Sequence, residues 1–345
     1  MARVVIPDPT WEEAIRRAAQ ARVILIIGET DTGKTFFTTC LANNLLSHGF
    51  SVGVVDSDLG QSDIGPPTTV GLGVISQPVE RLGEAEVVGL YFVGSTSPQG
   101  HLLPTVIGTK LMVEKALALG FERVLVDTSG LVQGELGRTL KRHKIDLIAP
   151  DLVFCLQRGE ECEHILKAYA LGRRPEILRL APGPAGRKRS QEERRQHRER
   201  TLHAYFHGAR PLHLDLTRVV LRHPTLFVGQ PLPSRQLEEI SGLLDDMVLW
   251  AERVGAELVL VTPDPLKEVQ IRQIAKRFDD AFVVNLSQDD FQDALAGLDN
   301  ADGETVGLGI VRSLDFAKQV LVIETALPEA SIAAVAIGRQ KFRPI

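Results

Sequence analysis

The feature that most narrows what this chain can fold into is an apolar run that ends in a glycine-rich loop. Arg22 to Ile27 is a continuous, mostly β-branched segment, Gly28-Glu29-Thr30-Asp31-Thr32-Gly33-Lys34-Thr35 follows without a gap, and Phe36 to Leu46 reads as a helix. A strand covered on both faces, feeding a Gly-x4-Gly-Lys-Thr loop and then a helix, is the P-loop arrangement. Its backbone N–H groups wrap a nucleotide's β-phosphate, and the helix N-terminus adds positive field. Lys34 then reaches the β- and γ-oxygens, and the Thr35 hydroxyl is available to Mg²⁺. The expected nucleotide-binding set is Gly28, Glu29, Thr30, Asp31, Thr32, Gly33, Lys34, Thr35 and Phe36, with ATP and Mg²⁺ as cofactors.

The surrounding pattern extends the loop into a fold. Thr10-Trp11-Glu12-Glu13 has the form of a capping box, so a short helix opens the chain. Ser51 to Val55 gives the strand after the P-loop helix, helix 108–119 precedes strand 121–126, and strand 151–156 precedes helix 159–171. Strands and helices that alternate in this way predict an α/β class with a doubly wound parallel sheet. After Gly208 the character changes. Strands at Val219–Val228, Glu257–Val261, Ala281–Leu286, Val306–Arg312 and Gln319–Glu324, with helices at 235–254 and 265–278, predict a smaller C-terminal α/β module. The expected domains are residues 1–208 and 209–345, and 44% apolar content over 345 residues suffices for two cores.

The chemistry-bearing residues cluster where the strands end. Asp56 and Asp58 close the second strand, at the sheet edge where α/β proteins bind ligands. A phosphoryl acceptor needs a group that aligns its hydroxyl and takes its proton, so Asp58 is expected to be the base, with Asp56 the alternate and Gln61 nearby. Val124-Leu125-Val126-Asp127 has the form of a Walker B strand, and Thr128-Ser129-Gly130 completes an Asp-x-x-Gly that suits either a γ-phosphate sensor or a residue holding a water on Mg²⁺. The net charge of −5 hides a basic block: residues 173–200 hold ten Arg or Lys against four Glu. The Pro/Gly-rich stretch 181–186 leads into a predicted lid helix at about 187–206, in which Arg194 and Arg198 share a face and can close over a transferring phosphate. Cys40, Cys155 and Cys162 form no CxxC pair, no run of about 18 apolar residues occurs, and the first residues lack a signal core, so a reducing, cytoplasmic setting without membrane attachment is expected.

Taken together these motifs resemble the polynucleotide 5′-hydroxyl kinases that include the kinase subunit of the pre-mRNA cleavage factor and the kinase of ribosomal-RNA processing. The resemblance runs through residues 22 to 208. It rests on Thr30-Asp31-Thr32-Gly33-Lys34-Thr35, on Asp58-Leu59-Gly60-Gln61, on Gly94-Ser95-Thr96-Ser97-Pro98, and on Arg194 and Arg198 before Tyr205-Phe206. It implies that Lys34, Asp58, Arg194 and Arg198 are catalytic and that Thr35 and Asp58 contact the metal. The substrate, the 5′-hydroxyl end of RNA or DNA, is expected to meet Gln61, Ser97, Thr128, Ser129 and Gly130, with Arg187 and Arg189 of the basic block binding its strand. Two departures stand out. Leu131 occupies the position at which eukaryotic members carry a base-stacking tryptophan, and only 27 residues precede the P-loop, where those members carry a sizeable N-terminal domain. A compact prokaryotic member is the reading that follows. Two other classes share part of the pattern. A regulatory GTPase or metal-delivery NTPase would use the Asp-x-x-Gly, but the guanine-reading Asn-Lys-x-Asp is missing from the sequence. A small-metabolite kinase would use the P-loop and lid around a closed pocket.

Overall fold

The computed structural model describes residues 10–182, 190–223 and 225–343, which form two compact units, the chain passing from one to the other between Tyr205 and Phe206. The sequence-predicted Arg187 and Arg189, and the first residues of the expected lid helix, lie outside the described residues.

The first unit runs α1 (Thr10–Ala18), β1 (Val23–Gly28), α2 (Lys34–Ser47), β2 (Val52–Ser57), β3 (Thr69–Ile75), β4 (Glu86–Phe92), α3 (Leu102–Ala118), β5 (Arg123–Thr128), α4 (Gly134–Ile148), β6 (Leu152–Leu156), α5 (Glu163–Leu166), β7 (Glu176–Leu180) and α6 (Gln191–Tyr205). Strands β7, β6, β1, β5 and β2 lie side by side and parallel, with β1 at the centre. Alternation along β1 sends Ile24 and Ile26 into one core with Trp11, Phe37 and Leu41 of α1 and α2. Leu25 and Ile27 enter a second core with Met112 and Val113 of α3, Ile145 of α4 and Ile165 of α5. Helices therefore cover both faces, as a doubly wound sheet requires. Strands β3 and β4 extend it antiparallel. Only residues 58–68 join β2 to β3, a connection that holds no helix and so returns the chain in the opposite direction.

The second unit is richer in strands than expected. Strands β8 (Arg210–Asp215), β16 (Val320–Thr325), β15 (Thr305–Asp315), β14 (Ala294–Asp299), β17 (Ala334–Lys341) and β9 (Val220–Arg222) make one sheet, antiparallel except for β17 with β9. Strands β10 (Gln230–Pro231), β11 (Trp250–Val254), β12 (Glu257–Thr262) and β13 (Phe282–Ser287) make another, with helices α7 (Ser234–Leu244), α8 (Glu268–Arg277) and α9 (Gln288–Phe291). The helix expected over 235–254 is corrected here. It ends at Leu244, where Asp245 takes a left-handed conformation (φ 51°), and Trp250–Val254 turns into β11. The fully buried Glu252 explains why that segment resists helix: its carboxylate accepts from the N–H groups of Phe227 and Val228 and from Trp250 Nε1. The strand expected over Val219–Val228 shrinks to three residues, and the helix expected over 159–171 to one turn of α-helix followed by a 3₁₀ turn.

Candidate functional site

The P-loop links β1, flanked on both sides by parallel strands, to α2. Two near-contacts hold it in place. A side chain on Gly28 would meet Leu156 O at 2.4 Å, and one on Gly130 would meet Thr30 Oγ1 at 2.3 Å and Thr30 N at 2.5 Å. Within the loop, Glu29 O accepts from Thr32 Oγ1 (2.9 Å) and Lys34 Nζ (2.7 Å). Burial lowers the Lys34 pKa from its ordinary value, while the charges of Asp127 and Asp58 oppose that shift. Phe36 stays 46% exposed, its ring 6.1 Å from that of Trp11.

The parallel register of β2 with β5 sets Asp56 beside Asp127 and Ser57 beside Thr128. Thr35 Oγ1 donates to Asp127 Oδ2 at 2.6 Å, and Asp127 Oδ1 is buried with no hydrogen-bond partner among the described residues. Burial raises the Asp127 pKa to about 6, against the pull of the Thr35 hydrogen bond and the Lys34 charge. A buried carboxylate oxygen without a partner, next to a P-loop threonine, fits a divalent cation. Thr35 thus meets Asp127 and not Asp58, the residue with which the sequence paired it. No cluster of three or more His, Cys, Asp or Glu suited to a metal occurs among the described residues.

Asp58 follows β2 in a turn. Its Oδ1 accepts from the N–H groups of Gly60 and Gln61, both at 3.1 Å, and Oδ2 has no hydrogen-bond partner among the described residues. Asp56 is committed elsewhere: it is 2% exposed and accepts from the N–H groups of Asp58, Asp63 and Ile64. Burial, then the charges of Asp127 and Asp63, push its pKa well up. The Thr96 carbonyl lies against Gly60, which brings the exposed Ser97 near the Asp58 turn. Helix α6 reaches the same place. Arg194 pairs with Asp31 of the P-loop (Nη2 to Oδ2 3.1 Å), and Gln61 Nε2 donates to Arg194 O at 3.3 Å. Arg198, half-buried, has no ion pair or hydrogen bond among the described residues.

The loop after β5 is placed differently from expectation. Gly130 borders a cavity of about 520 Å³ together with Glu29, Asp31, Leu131, Gln133 and Arg158. The Thr128 side chain is a correction: it is 2% exposed and its hydroxyl donates to Ile26 O (2.8 Å), so it faces the sheet and not a substrate. Ser129 Oγ is buried too. Sequence reasoning missed three residues here. Arg158 Nη2 donates to Asp31 O at 2.7 Å. Lys141 and Lys144, both 0% exposed, donate to Thr128 Oγ1 (2.8 Å) and Ser129 O (2.6 Å), and to Ser57 Oγ (2.7 Å). Burial lowers both ammonium pKa values, that of Lys144 to about 8. The signal was present in α4, since Lys141 and Lys144 share the helical register of Leu140, Ile145 and Ile148.

Residues 28–208 match the family described as mRNA cleavage and polyadenylation factor CLP1 P-loop. The chain is 30% identical over 334 residues to a polyribonucleotide 5′-hydroxyl-kinase of Pyrococcus abyssi, a match covering 96% of this chain and 90% of that protein. It is 30% identical over 329 residues to the enzyme of that name from Methanocaldococcus jannaschii, covering 95% and 88%. In fold it is similar to a chain in the solved Clp1p–Pcf11p complex, with a TM-score of 0.61 at 14% identity, covering 96% of this chain and 78% of that one.

Proposed function

The chain belongs to the CLP1 P-loop family, and from that premise we propose that it is an ATP-dependent kinase of polynucleotide 5′-hydroxyl ends, with RNA as the acceptor. One observation carries the reading: a complete P-loop, the Asp58 turn and an arginine of the basic helix meet, through the Arg194–Asp31 pair and the Gln61 bond to Arg194 O. A nucleotide switch has no use for a basic helix docked on its P-loop and on the Gln61 side chain beside Asp58. The kinase names of the archaeal relatives, which span nearly the whole chain, support the same reaction.

In this reading Lys34 and the N-terminus of α2 hold the β- and γ-phosphates. Asp58 aligns the 5′-hydroxyl through its uncommitted Oδ2 and takes its proton as the hydroxyl oxygen bonds to the γ-phosphorus. The bond from that phosphorus to the β–γ bridging oxygen breaks, and ADP leaves. Arg198 is available to the transferring group at once, and Arg194 after exchange from Asp31. Thr35 and Asp127 would hold Mg²⁺, which when bound neutralises phosphate charge. Gln61, Ser97, Gly130 and the basic residues Arg187 and Arg189 serve the acceptor strand, and the three unpaired cysteines suit a cytoplasmic enzyme.

The test is transfer of label from γ-labelled ATP to 5′-hydroxyl RNA and DNA oligonucleotides. Labelled RNA is expected, and Lys34→Ala is expected to cut the rate by about 10³-fold or more while leaving the fold intact, since a phosphate-binding charge is lost and no core contact. Label released only as inorganic phosphate would favour an NTPase, and label on DNA alone would move the acceptor class.

A further inference from the structure

Burying an amine is costly, and an apolar side chain of the same volume would fill the inner stripe of α4 with less penalty. Lys141 does what an apolar residue cannot: it donates in two fixed directions. The Thr128 hydroxyl spends its own proton on Ile26 O, which leaves a lone pair for Lys141 and ties α4 to β5 and β1. The second bond, to Ser129 O, fixes the peptide that joins Ser129 to Gly130. A trans peptide is planar, with C=O and N–H pointing in opposite directions. With the carbonyl turned inward to Lys141, the Gly130 N–H must point away from α4. It has no acceptor among the described residues, and Gly130 borders both the cavity and Thr30 of the P-loop. The neutral and charged amines both have enough protons for the two bonds.

Resting on the proposed kinase reading, we propose that Lys141 is a positioning residue that holds the Ser129–Gly130 peptide so that the Gly130 N–H is presented to the γ-phosphoryl group of ATP. ADP lacks that group, so the two nucleotides separate this role from general support of the core. In Lys141→Met, affinity for ADP is expected within twofold of wild type, affinity for a non-hydrolysable ATP analogue down about tenfold, and kcat down about 10²-fold, as for loss of one directed donor. Lys144→Met, which removes an equally buried amine that meets only Ser57, is expected to leave the analogue-to-ADP affinity ratio unchanged. Should Lys141→Met not fold, Lys141→Ala with and without n-propylammonium makes the same comparison, the added amine being expected to restore the ratio. Equal losses for both nucleotides, an equal change in Lys144→Met, or an amine that restores folding without the ratio would each overturn the proposal. A wild-type protein that labels no 5′-hydroxyl strand would overturn the kinase reading while leaving this binding test intact.

Discussion

Helices α4 and α6 both bring cations to the loops at the sheet edge, and they do so in opposite ways. Helix α6 carries arginines at its surface: Arg195 is paired with Glu192, Arg194 with Asp31, and Arg198 with nothing among the described residues. Helix α4 carries lysines that water does not reach, each bonded to uncharged oxygens. A weakly hydrated, forked guanidinium on a long stem can change partners as a reaction proceeds. An amine sealed in a core cannot, and its value lies in being fixed. On the proposed reading, the difference separates groups that act on phosphate from groups that hold the backbone that does.

The largest expected effect breaks the α6 side. Arg194→Ala with Arg198→Ala is expected to lower kcat by roughly 10³-fold, the low end for loss of an arginine finger. The melting temperature should hardly move, because the Arg194–Asp31 pair is partly solvated and such pairs are worth under about 1 kcal/mol. If steady-state kinetics show only weaker oligonucleotide binding with kcat intact, α6 is a tether. Next comes the carboxylate whose charge bears on Lys34, Lys141 and Lys144. Asp58→Asn keeps shape and removes the base, so ATP should still bind while transfer falls by about 10²-fold. An unchanged rate would take the base role from Asp58, and Asp56 is too buried and too fully bonded to inherit it.

A change that touches stability and not transfer sharpens the α4 side through pH. Burial lowers the Lys144 pKa from 10.5 to about 8, so between those values the folded chain binds fewer protons than the unfolded one. Stability from this group therefore rises with pH across that window and is lost as pH falls back towards 8. Denaturant titrations of wild type and Lys144→Met should diverge accordingly, wild type gaining about 3 kcal/mol on the variant between pH 8 and 10.5. Parallel curves would mean that Lys144 remains charged in the fold without penalty.

The same contrast explains what the sequence disclosed. The P-loop was legible because its spacing, its preceding strand and its following helix agree, and the α6 arginines because ten basic residues crowd into 28 positions. Lys141 and Lys144 were hidden, since a lysine in a helix is normally read as solvent-facing and only its register with Leu140 and Ile145 says otherwise. Strands β3 and β4 escaped notice because Gly71, Gly73 and Gly89 dilute the strand pattern. The 235–254 segment misled for a different reason: helical spacing runs through Asp245 into Trp250, and the burial of Glu252 that makes β11 depends on donors from residues more than twenty positions earlier. Local patterns reveal what neighbours in sequence decide, and partners distant in the chain stay invisible.

The close passes at Gly28 and Gly130 carry a mechanical consequence. On those two sides the P-loop is located by close stops, Gly28 against the Leu156 carbonyl and Gly130 against the Thr30 backbone and hydroxyl, with no side chain on either glycine as a cushion. Repulsion between atoms rises far more steeply than a hydrogen bond weakens, so such stops set a fine tolerance. Reacting groups that are about 1 Å out of place can lose about 10²-fold in rate. A loop seated like a part between two gauge blocks therefore owes its accuracy to side chains that two positions do not have.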